Sequence, residues 1–293
     1  MDNNNETFTQ DLSGEEHNGA VFGMQLFMRE QCPMPDKELM TSVMQKHLGA
    51  VLNYSYDDGF AGFSALEYKT RFNGKEIPPS LLITKCCEAK PETIDAFTRS
   101  QMWSCPDHDR VLSECRYQVV ATDLLGAALS ASDRADMLMN FLEALVELYP
   151  TCEAVYFMTS GKMFMAEDIR SHNIPRESRF IYFAVNVRFF KIQDTDDMLV
   201  DSIGMSTLHL PDLQYHFHSL DPNPIVNHAY NMLSYIFEND CPIKSGDTID
   251  GIDNGEMTMD VQWGCHYEES MVQPKREVID ICAGRFASGD REY

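Results

Sequence analysis

The stretch from Gly204 to Glu238 constrains the fold more than any other part of the chain, because it is typical of a strand, a turn and a helix in succession. Residues 213–218, LQYHFH, alternate between apolar and polar side chains, which is the period of a strand with one buried face. The turn residues Asp221-Pro222-Asn223-Pro224 follow, with Asn223 as the predicted N-cap of a helix. Apolar residues then recur at three- and four-residue spacing, so we expect the helix to pack on the apolar side of the strand.

The polar side of the same strand predicts a candidate metal site. Asp212, His216 and His218 share that face, which we expect to be solvent-exposed, and a rise of about 3.3 Å per residue separates the two histidine Cα atoms by about 6.6 Å. These three side chains would suit Zn, with His228 or His266 as a further ligand. The competing interpretation is an edge strand that carries two solvated histidines, because zinc sites need three or four protein ligands.

The order of the remaining elements predicts the fold class. Short strands alternate with helices, and neighbouring strands are often joined as hairpins, as at Asn73-Gly74. We expect a core helix capped by Ser132, a central strand over 180–192 and an acidic loop over 247–256. The pattern favours an α+β fold with mostly antiparallel mixed sheets, helices packed on one face and two βαβ-like halves.

Length and composition suggest how the chain is divided. The 293 residues are 44% hydrophobic, enough to bury a full core. We expect a disordered acidic tail over 1–20, an N-terminal α+β half over 21–130 and a C-terminal α+β half over 131–293. The first residues lack a basic start and an apolar core, so no signal peptide is predicted. No apolar run approaches the ~20 residues of a membrane span.

The charge balance excludes two classes of partner and favours a third. There are 46 acidic and 23 basic residues, which gives a formal net charge of -23. Proteins that bind nucleic-acid backbones or anionic membranes use clustered Lys and Arg, so we expect neither partner. An acidic surface complements a basic protein partner through electrostatic steering.

The cysteines indicate a reducing compartment. All nine lie outside any C-x-x-C pair, and several lie within apolar runs, so a cytoplasmic protein with reduced thiols is predicted. Cys105 with His108 as base is a candidate nucleophile, although catalytic Cys and His are usually distant in sequence. The segment 159–162, TSGK, fails as a phosphate loop, because Tyr156 and Met163 stand where glycine and Ser or Thr are required.

Several phrases in the chain carry a resemblance to a known family. They are Gly204-Met205, Leu210-Pro211-Asp212-Leu213-Gln214 with His216-Phe217, the segment 231–239 and Gln273-Pro274-Lys275-Arg276-Glu277-Val278. Together they resemble the C-terminal part of the bacterial "domain of unknown function 4261" family. Upstream, Gln101-Met102-Trp103 and the segment 160–168 look like its N-terminal companion region. The resemblance implies a bacterial cytosolic protein without an established activity, and it carries over no functional residues.

Three functions are compatible with these features. The leading hypothesis is a non-enzymatic protein-binding module, for example an immunity-like or stress-associated factor that neutralises a cationic toxin or effector. The alternative is a metal-dependent hydrolase, in which a metal at His216 and His218 activates a bound water. A structural sensor or scaffold domain is the third.

Overall fold

The chain forms two compact units in the computed structural model, which describes residues 7–10, 21–72 and 74–289. The N-terminal unit comprises 21–186 with 207–209, and the C-terminal unit comprises 7–10, 187–206 and 210–289. The division therefore falls at residue 187 and not at the predicted residue 131. Strand pairing explains the difference, because residues 154–157 pair with the first strand of the chain. Most of the predicted tail over 1–20 lies outside the described residues.

The N-terminal unit is built on an antiparallel sheet. Its strands are β1 (Gly23–Met28), β2 (Val51–Tyr56), β3 (Phe60–Ala65), β4 (Thr70–Phe72), β5 (Lys75–Ile77), β6 (Ser80–Thr84), β7 (Cys87–Glu88), β8 (Tyr117–Leu124), β9 (Ala154–Phe157) and β10 (Lys162–Met165). The large sheet has the order β10-β9-β1-β8-β6-β3-β2, with β7 also on β8, while β4 and β5 form a separate hairpin. Every pairing in the unit is antiparallel between the described strands.

Capping residues set the starts of the two main helices of this unit. The helices are α1 (Lys37–Leu48), α2 (Ala96–Ser100), α3 (His108–Glu114), α4 (Ala131–Leu148), α5 (Ala166–Ser171) and α6 (Arg179–Ala184). The Asp36 carboxylate accepts from the Leu39 amide at the start of α1. Ser130 caps α4 by accepting from the Asp133 amide, so the predicted cap at Ser132 is two residues late. Helix α4 is the long buried helix that the sequence predicts, and it packs against α1.

The C-terminal unit contains a mixed sheet and one long helix. Its elements are β11 (Asn186–Lys191), β12 (Asp197–Ile203), β13 (Asp212–His218), α7 (Pro222–Glu238), β14 (Thr248–Asp253), β15 (Glu256–Glu269) and β16 (Glu277–Cys282). The strand order is β11-β12-β13-β16-β15-β14. Strands β13 and β16 are parallel, while β12-β13, β15-β16 and β14-β15 are antiparallel. The predicted α+β class with mostly antiparallel sheets is confirmed.

Two predicted elements are wrong. The predicted central strand over 180–192 is helix α6 followed by β11, which lies at an edge of its sheet. Phe180, Ile181, Phe183 and Ala184 are buried on the helix, so the continuous apolar run reflects a buried helix and not a central strand. The predicted acidic loop over 247–256 contains strand β14, whose pairing with β15 overrides the low strand propensity of Asp and Gly.

Strand β13 and helix α7 confirm the strand, turn and helix predicted at the centre of the chain. Helix α7 starts at Pro222 with Asp221 as its N-cap, two residues before the predicted N-cap at Asn223. Tyr215 on β13 is fully buried, and its hydroxyl lies 2.9 Å from Nδ1 of His228 on α7. Nε2 of His228 lies 2.7 Å from the Asp250 carbonyl, so Nε2 carries the proton and the Tyr215 hydroxyl donates to Nδ1. This chain of hydrogen bonds joins helix α7 to two strands.

None of the helices within the described residues has both the length and the apolar composition to cross a membrane.

We expect Tyr215→Phe to lower the free energy of unfolding by about 1–3 kcal/mol, because the buried Nδ1 of His228 loses its donor. Urea denaturation of a Trp103→Phe background, followed by the fluorescence of Trp263, whose ring lies 5.1 Å from His228, measures the change. Tyr235→Phe, on the exposed side of α7, is the control and should change stability by less than about 0.5 kcal/mol. Equal effects of the two variants on stability would contradict the hydrogen bond from Tyr215 to His228.

Candidate functional site

The polar face of β13 is buried, which corrects the prediction that it faces solvent. Asp212, Gln214 and His216 alternate with the apolar residues as expected, but they are 1%, 0% and 6% exposed. The segment after β15 lies on this face, where the Met271 amide donates to the Gln214 side chain over 2.7 Å. The segment after β16 also packs beside His216, where the Ser288 amide donates to the His216 carbonyl over 3.0 Å. Both faces of β13 are therefore internal.

Asp212 is part of an internal hydrogen-bond network. Its Oδ1 accepts from the Ser202 hydroxyl over 2.8 Å and from the Met205 amide over 3.3 Å. Its Oδ2 lies 3.3 Å from Nε of Arg276. Burial raises the pKa of Asp212 to about 6, although the Arg276 guanidinium opposes this shift. A carboxyl group held in this way is committed to the protein and not to an open coordination position.

The two predicted histidine ligands have different surroundings. Nε2 of His216 lies 3.3 Å from a carboxylate oxygen of Asp197, and the backbone of Gly289 lies against the imidazole. His218, at the end of the strand, is partly exposed, and its Nδ1 contacts the Ser219 hydroxyl over 2.9 Å. No three His, Cys, Asp or Glu residues within 7–10, 21–72 and 74–289 are arranged to hold a metal ion. The site of Asp212, His216 and His218 therefore stays a prediction without support from the geometry.

A buried ion-pair network lies beside Asp212. Nε and Nη2 of Arg188 donate to the two carboxylate oxygens of Asp201 over 2.9 and 2.6 Å. Arg276 also donates to Asp201, and its Nη1 donates to the Pro274 carbonyl over 2.8 Å. Two guanidinium groups thus face the carboxylates of Asp201 and Asp212, and all four residues are buried. The charges balance, which is the condition for burying them.

The candidate thiol nucleophile is incorrectly oriented for catalysis. Cys105 is fully buried, and its sulfur contacts the Met165 sulfur at 3.6 Å. Nδ1 of His108 lies 2.9 Å from the Cys105 carbonyl and not on the thiol. Burial, reinforced by Asp107, raises the pKa of Cys105 to about 11. The thiol therefore lacks both a base and a stabilised thiolate.

An acidic surface of the C-terminal unit lies on the hairpin of β14 and β15. Five acidic residues lie at the turn end of this hairpin and just before it, namely Asp247, Asp250, Asp253, Glu256 and Asp260, and no Lys or Arg occurs between the first and the last. Asp250 accepts a hydrogen bond from the Gln262 side chain over 3.0 Å, but none of the five carboxylates has a salt bridge to a residue in the described part of the chain. The hairpin thus presents uncompensated negative charge.

Apolar side chains lie among these carboxylates. Residues 259–261 bulge out of the β14-β15 ladder, because Asp250 pairs with Gln262 while the adjacent Gly251 pairs with Thr258. Met259 on the bulge is 79% exposed, and Met257 is 44% exposed. Strand β14 forms the edge of the sheet, so it has backbone groups that face away from β15. The hairpin combines negative charge and flexible apolar side chains with a position at the edge of the sheet.

The sequence contains a signal for this surface that the loop assignment missed. Residues 248–253, TIDGID, have apolar Ile249 and Ile252 among Asp and Gly, and β-branched residues continue after the turn. Asn254-Gly255 lies between the two strands, and Asn-Gly is a strong hairpin signal. The Asn254-Gly255 dipeptide therefore predicts the hairpin.

We expect Arg276→Met to lower the free energy of unfolding by about 3–5 kcal/mol, because Asp201 and Asp212 then lose a buried cation. Chemical denaturation of the variant measures the loss. Arg285→Met, an exposed position of the same unit, is the matched control and should be nearly neutral. A loss no larger than that of the control would contradict a central role for the network.

Asp212→Asn should change how stability depends on pH. The pKa of Asp212 in the folded state, about 6, exceeds its ordinary value of 3.8, so the folded state takes up this proton first as the pH falls. The contribution of Asp212 to stability is therefore greatest below about pH 4, and it is lost as the pH rises through about 6. Asparagine does not ionise, so between about pH 4 and pH 7 the stability of the variant relative to the native protein should increase by about 2–3 kcal/mol.

Urea denaturation at a series of pH values measures this difference. Asp196→Asn removes an exposed carboxylate from the same unit and is the control, for which we expect no comparable pH-dependent difference. Stability profiles of Asp212→Asn and the native protein that run parallel would show that folding does not raise the pKa of Asp212.

Comparison with known proteins connects the buried network to a family. No curated protein and no solved structure matches the chain. Residues 201–282 match the family model described as Domain of unknown function (DUF4261). The matched range contains Asp201, Asp212 and Arg276 and the whole β14-β15 hairpin, whereas the upstream phrases of the predicted resemblance lie outside it. Over residues 201–282, the chain is therefore similar to the DUF4261 family.

Proposed function

We propose that the chain is a non-enzymatic protein-binding module that recognises a basic segment of a partner protein through the β14-β15 hairpin. The observation that carries the proposal is the set of five carboxylates on this hairpin, which form no salt bridge to any described residue. Uncompensated charge on a surface steers an oppositely charged partner and discriminates against acidic ones. The net charge of -23 extends the same attraction over the whole chain.

The edge position of β14 supports binding of an extended segment. An exposed strand edge can accept an additional strand, whose main-chain hydrogen bonds contribute affinity while alternate side chains contribute specificity. Met257 and Met259 offer adaptable apolar contacts beside the carboxylates. A segment that alternates Lys or Arg with apolar residues would complement both features. A cationic toxin or effector that contains such a segment would fit an immunity-like or stress-associated role.

The cysteines support a cytoplasmic location for this module. All nine are free thiols, and burial raises the pKa of Cys152 and Cys265 to about 12. Reduced, unreactive thiols are typical of proteins from a reducing compartment. The proposed partner would therefore be a basic protein that reaches the same compartment.

A synthetic peptide that alternates lysine and valine tests the proposal directly. We expect it to bind the full chain in isothermal titration calorimetry, with an affinity that decreases as the salt concentration rises. The double variant Asp253→Asn with Asp260→Asn should bind about tenfold more weakly, since two charges leave the hairpin while the side chains keep their size.

The matched control is Asp194→Asn with Asp196→Asn, which removes two exposed carboxylates from the turn between β11 and β12 at the opposite edge of the sheet. The control variant should bind the lysine-valine peptide as tightly as the native protein does. A glutamate-valine peptide should not bind the native protein. Equal affinity of the basic peptide for both double variants would rule out the hairpin as the binding surface, and no binding at low salt would rule out recognition of a basic strand.

A further inference from the structure

A polar cleft of about 450 Å³ lies in the N-terminal unit, outside the family-matched domain. It is formed by the end of α1, the turn after β3 and the segment that leads into α6. Its volume is in the range of small-molecule sites in proteins. Tyr68, Asn140, His172, Arg176 and Arg179 are among its lining residues, so it is polar and not a gap in the apolar core.

Helix α4 supplies the polar floor on which this cleft is built. Asp136, Asn140 and Glu143 follow one another at four- and three-residue spacing, so they share one side of an otherwise buried helix. Asp136 accepts from the Tyr68 hydroxyl over 2.9 Å and from both Arg176 and Arg179. The floor therefore fixes the positions of the phenol and the two guanidinium groups.

Most polar groups around the cleft are already hydrogen-bonded within the protein. Nη1 of Arg179 donates to Glu143, and its Nη2 donates to Asp136 and to Asn140. Nδ1 of His172 accepts from the Ile174 amide over 3.1 Å, so its Nε2 carries the proton and donates to Glu143 over 3.1 Å. These groups define the shape of the cleft and are already satisfied within the protein.

One cationic donor is left for a ligand. Arg176 uses Nε and Nη2 on Asp136, and its Nη1 has no acceptor among the residues that the structure describes. Its side chain is 72% exposed. The pairing with Asp136 orients the guanidinium, so its free edge is presented to the cleft without further ordering. An anionic oxygen of a ligand fits this position.

Anionic and carbonyl acceptors lie on another wall of the same cleft. Oε1 of Glu67 accepts from the Ala50 amide over 3.1 Å, which leaves Oε2 for a ligand. Glu67 lies against Gly49, where a Cβ atom would be 2.7 Å from the carboxylate and φ is +74°, so glycine is required for this contact. The end of α1 also lines the cleft, and the last carbonyls of a helix attract cations. An ammonium group of a ligand fits here.

We propose that this cleft binds a free α-amino acid, with the ligand carboxylate on Arg176 and the ligand ammonium on Glu67 and the carboxyl end of α1. A purely anionic ligand would leave Glu67 without a counter-charge and would meet the carboxylates of Asp136 and Glu143 behind the arginines. A purely cationic ligand would meet Arg176 and Arg179. A zwitterion satisfies both walls, and Ile174 beside them offers an apolar contact for its side chain.

The test is isothermal titration calorimetry, in which the full chain is titrated with a panel of L-amino acids from every side-chain class. We expect at least one member to bind saturably. Its deaminated acid and its decarboxylated amine should each bind at least about tenfold more weakly, because each loses one charge-assisted contact. Arg176→Ala and Glu67→Gln should each weaken the binding of that amino acid by a similar factor.

Arg110→Ala is the matched control, since Arg110 also pairs with carboxylates but lies on α3, outside the lining of the cleft. It should leave binding unchanged. Circular dichroism of Arg176→Ala and Glu67→Gln checks that both variants remain folded, as expected for exposed side chains. The absence of binding by every amino acid of the panel, or equal affinity of the deaminated acid, would overturn the proposal.

Discussion

The ion pairs of Asp201 with Arg188 and Arg276 are the interaction on which the C-terminal unit depends. Removing a charge from water costs several kcal/mol, and the mutual attraction of the ions offsets this only with good geometry and additional hydrogen bonds. Arg188 provides a bidentate contact, and Arg276 also donates to the carbonyls of Ser202 and Pro274. These contacts connect β11, β12 and the segment before β16 through buried, charge-assisted hydrogen bonds.

Three groups of charged side chains in this protein differ in how their charges are compensated. In the buried network, the guanidinium and carboxylate groups neutralise one another completely within the protein. In the cleft beside α4, they are mostly paired, and one edge of Arg176 and one oxygen of Glu67 are left over. At the turn end of the β14-β15 hairpin, the five carboxylates from Asp247 to Asp260 form no salt bridge to a described residue. Increasing residual charge corresponds to increasing capacity to bind a partner, since an unpaired group gains most from a new counter-ion.

The elements with strong local signals were predictable. The strand from Asp212 to His218, the helix that follows it and the long helix α4 are confirmed, because periodicity and turn residues agree there. The secondary structure of the run over 180–192 was not predictable, because a buried helix and a buried strand share the same continuous apolar character. The burial of the polar face of β13 was not predictable either, because alternation predicts that His216 and Asp212 share a face but not which segments cover that face.

The sequence by itself determined that the chain is acidic, that it folds with an α+β architecture and that β13 is followed by α7. These properties follow from composition and from short-range periodicity, which are local. Only the tertiary structure decided that the polar face of β13 is internal, that Arg188 and Arg276 meet at Asp201, and that Glu67 and Arg176 line one cleft. Those pairs are separated by long stretches of chain, and their meeting depends on strand order and packing, which no local pattern encodes.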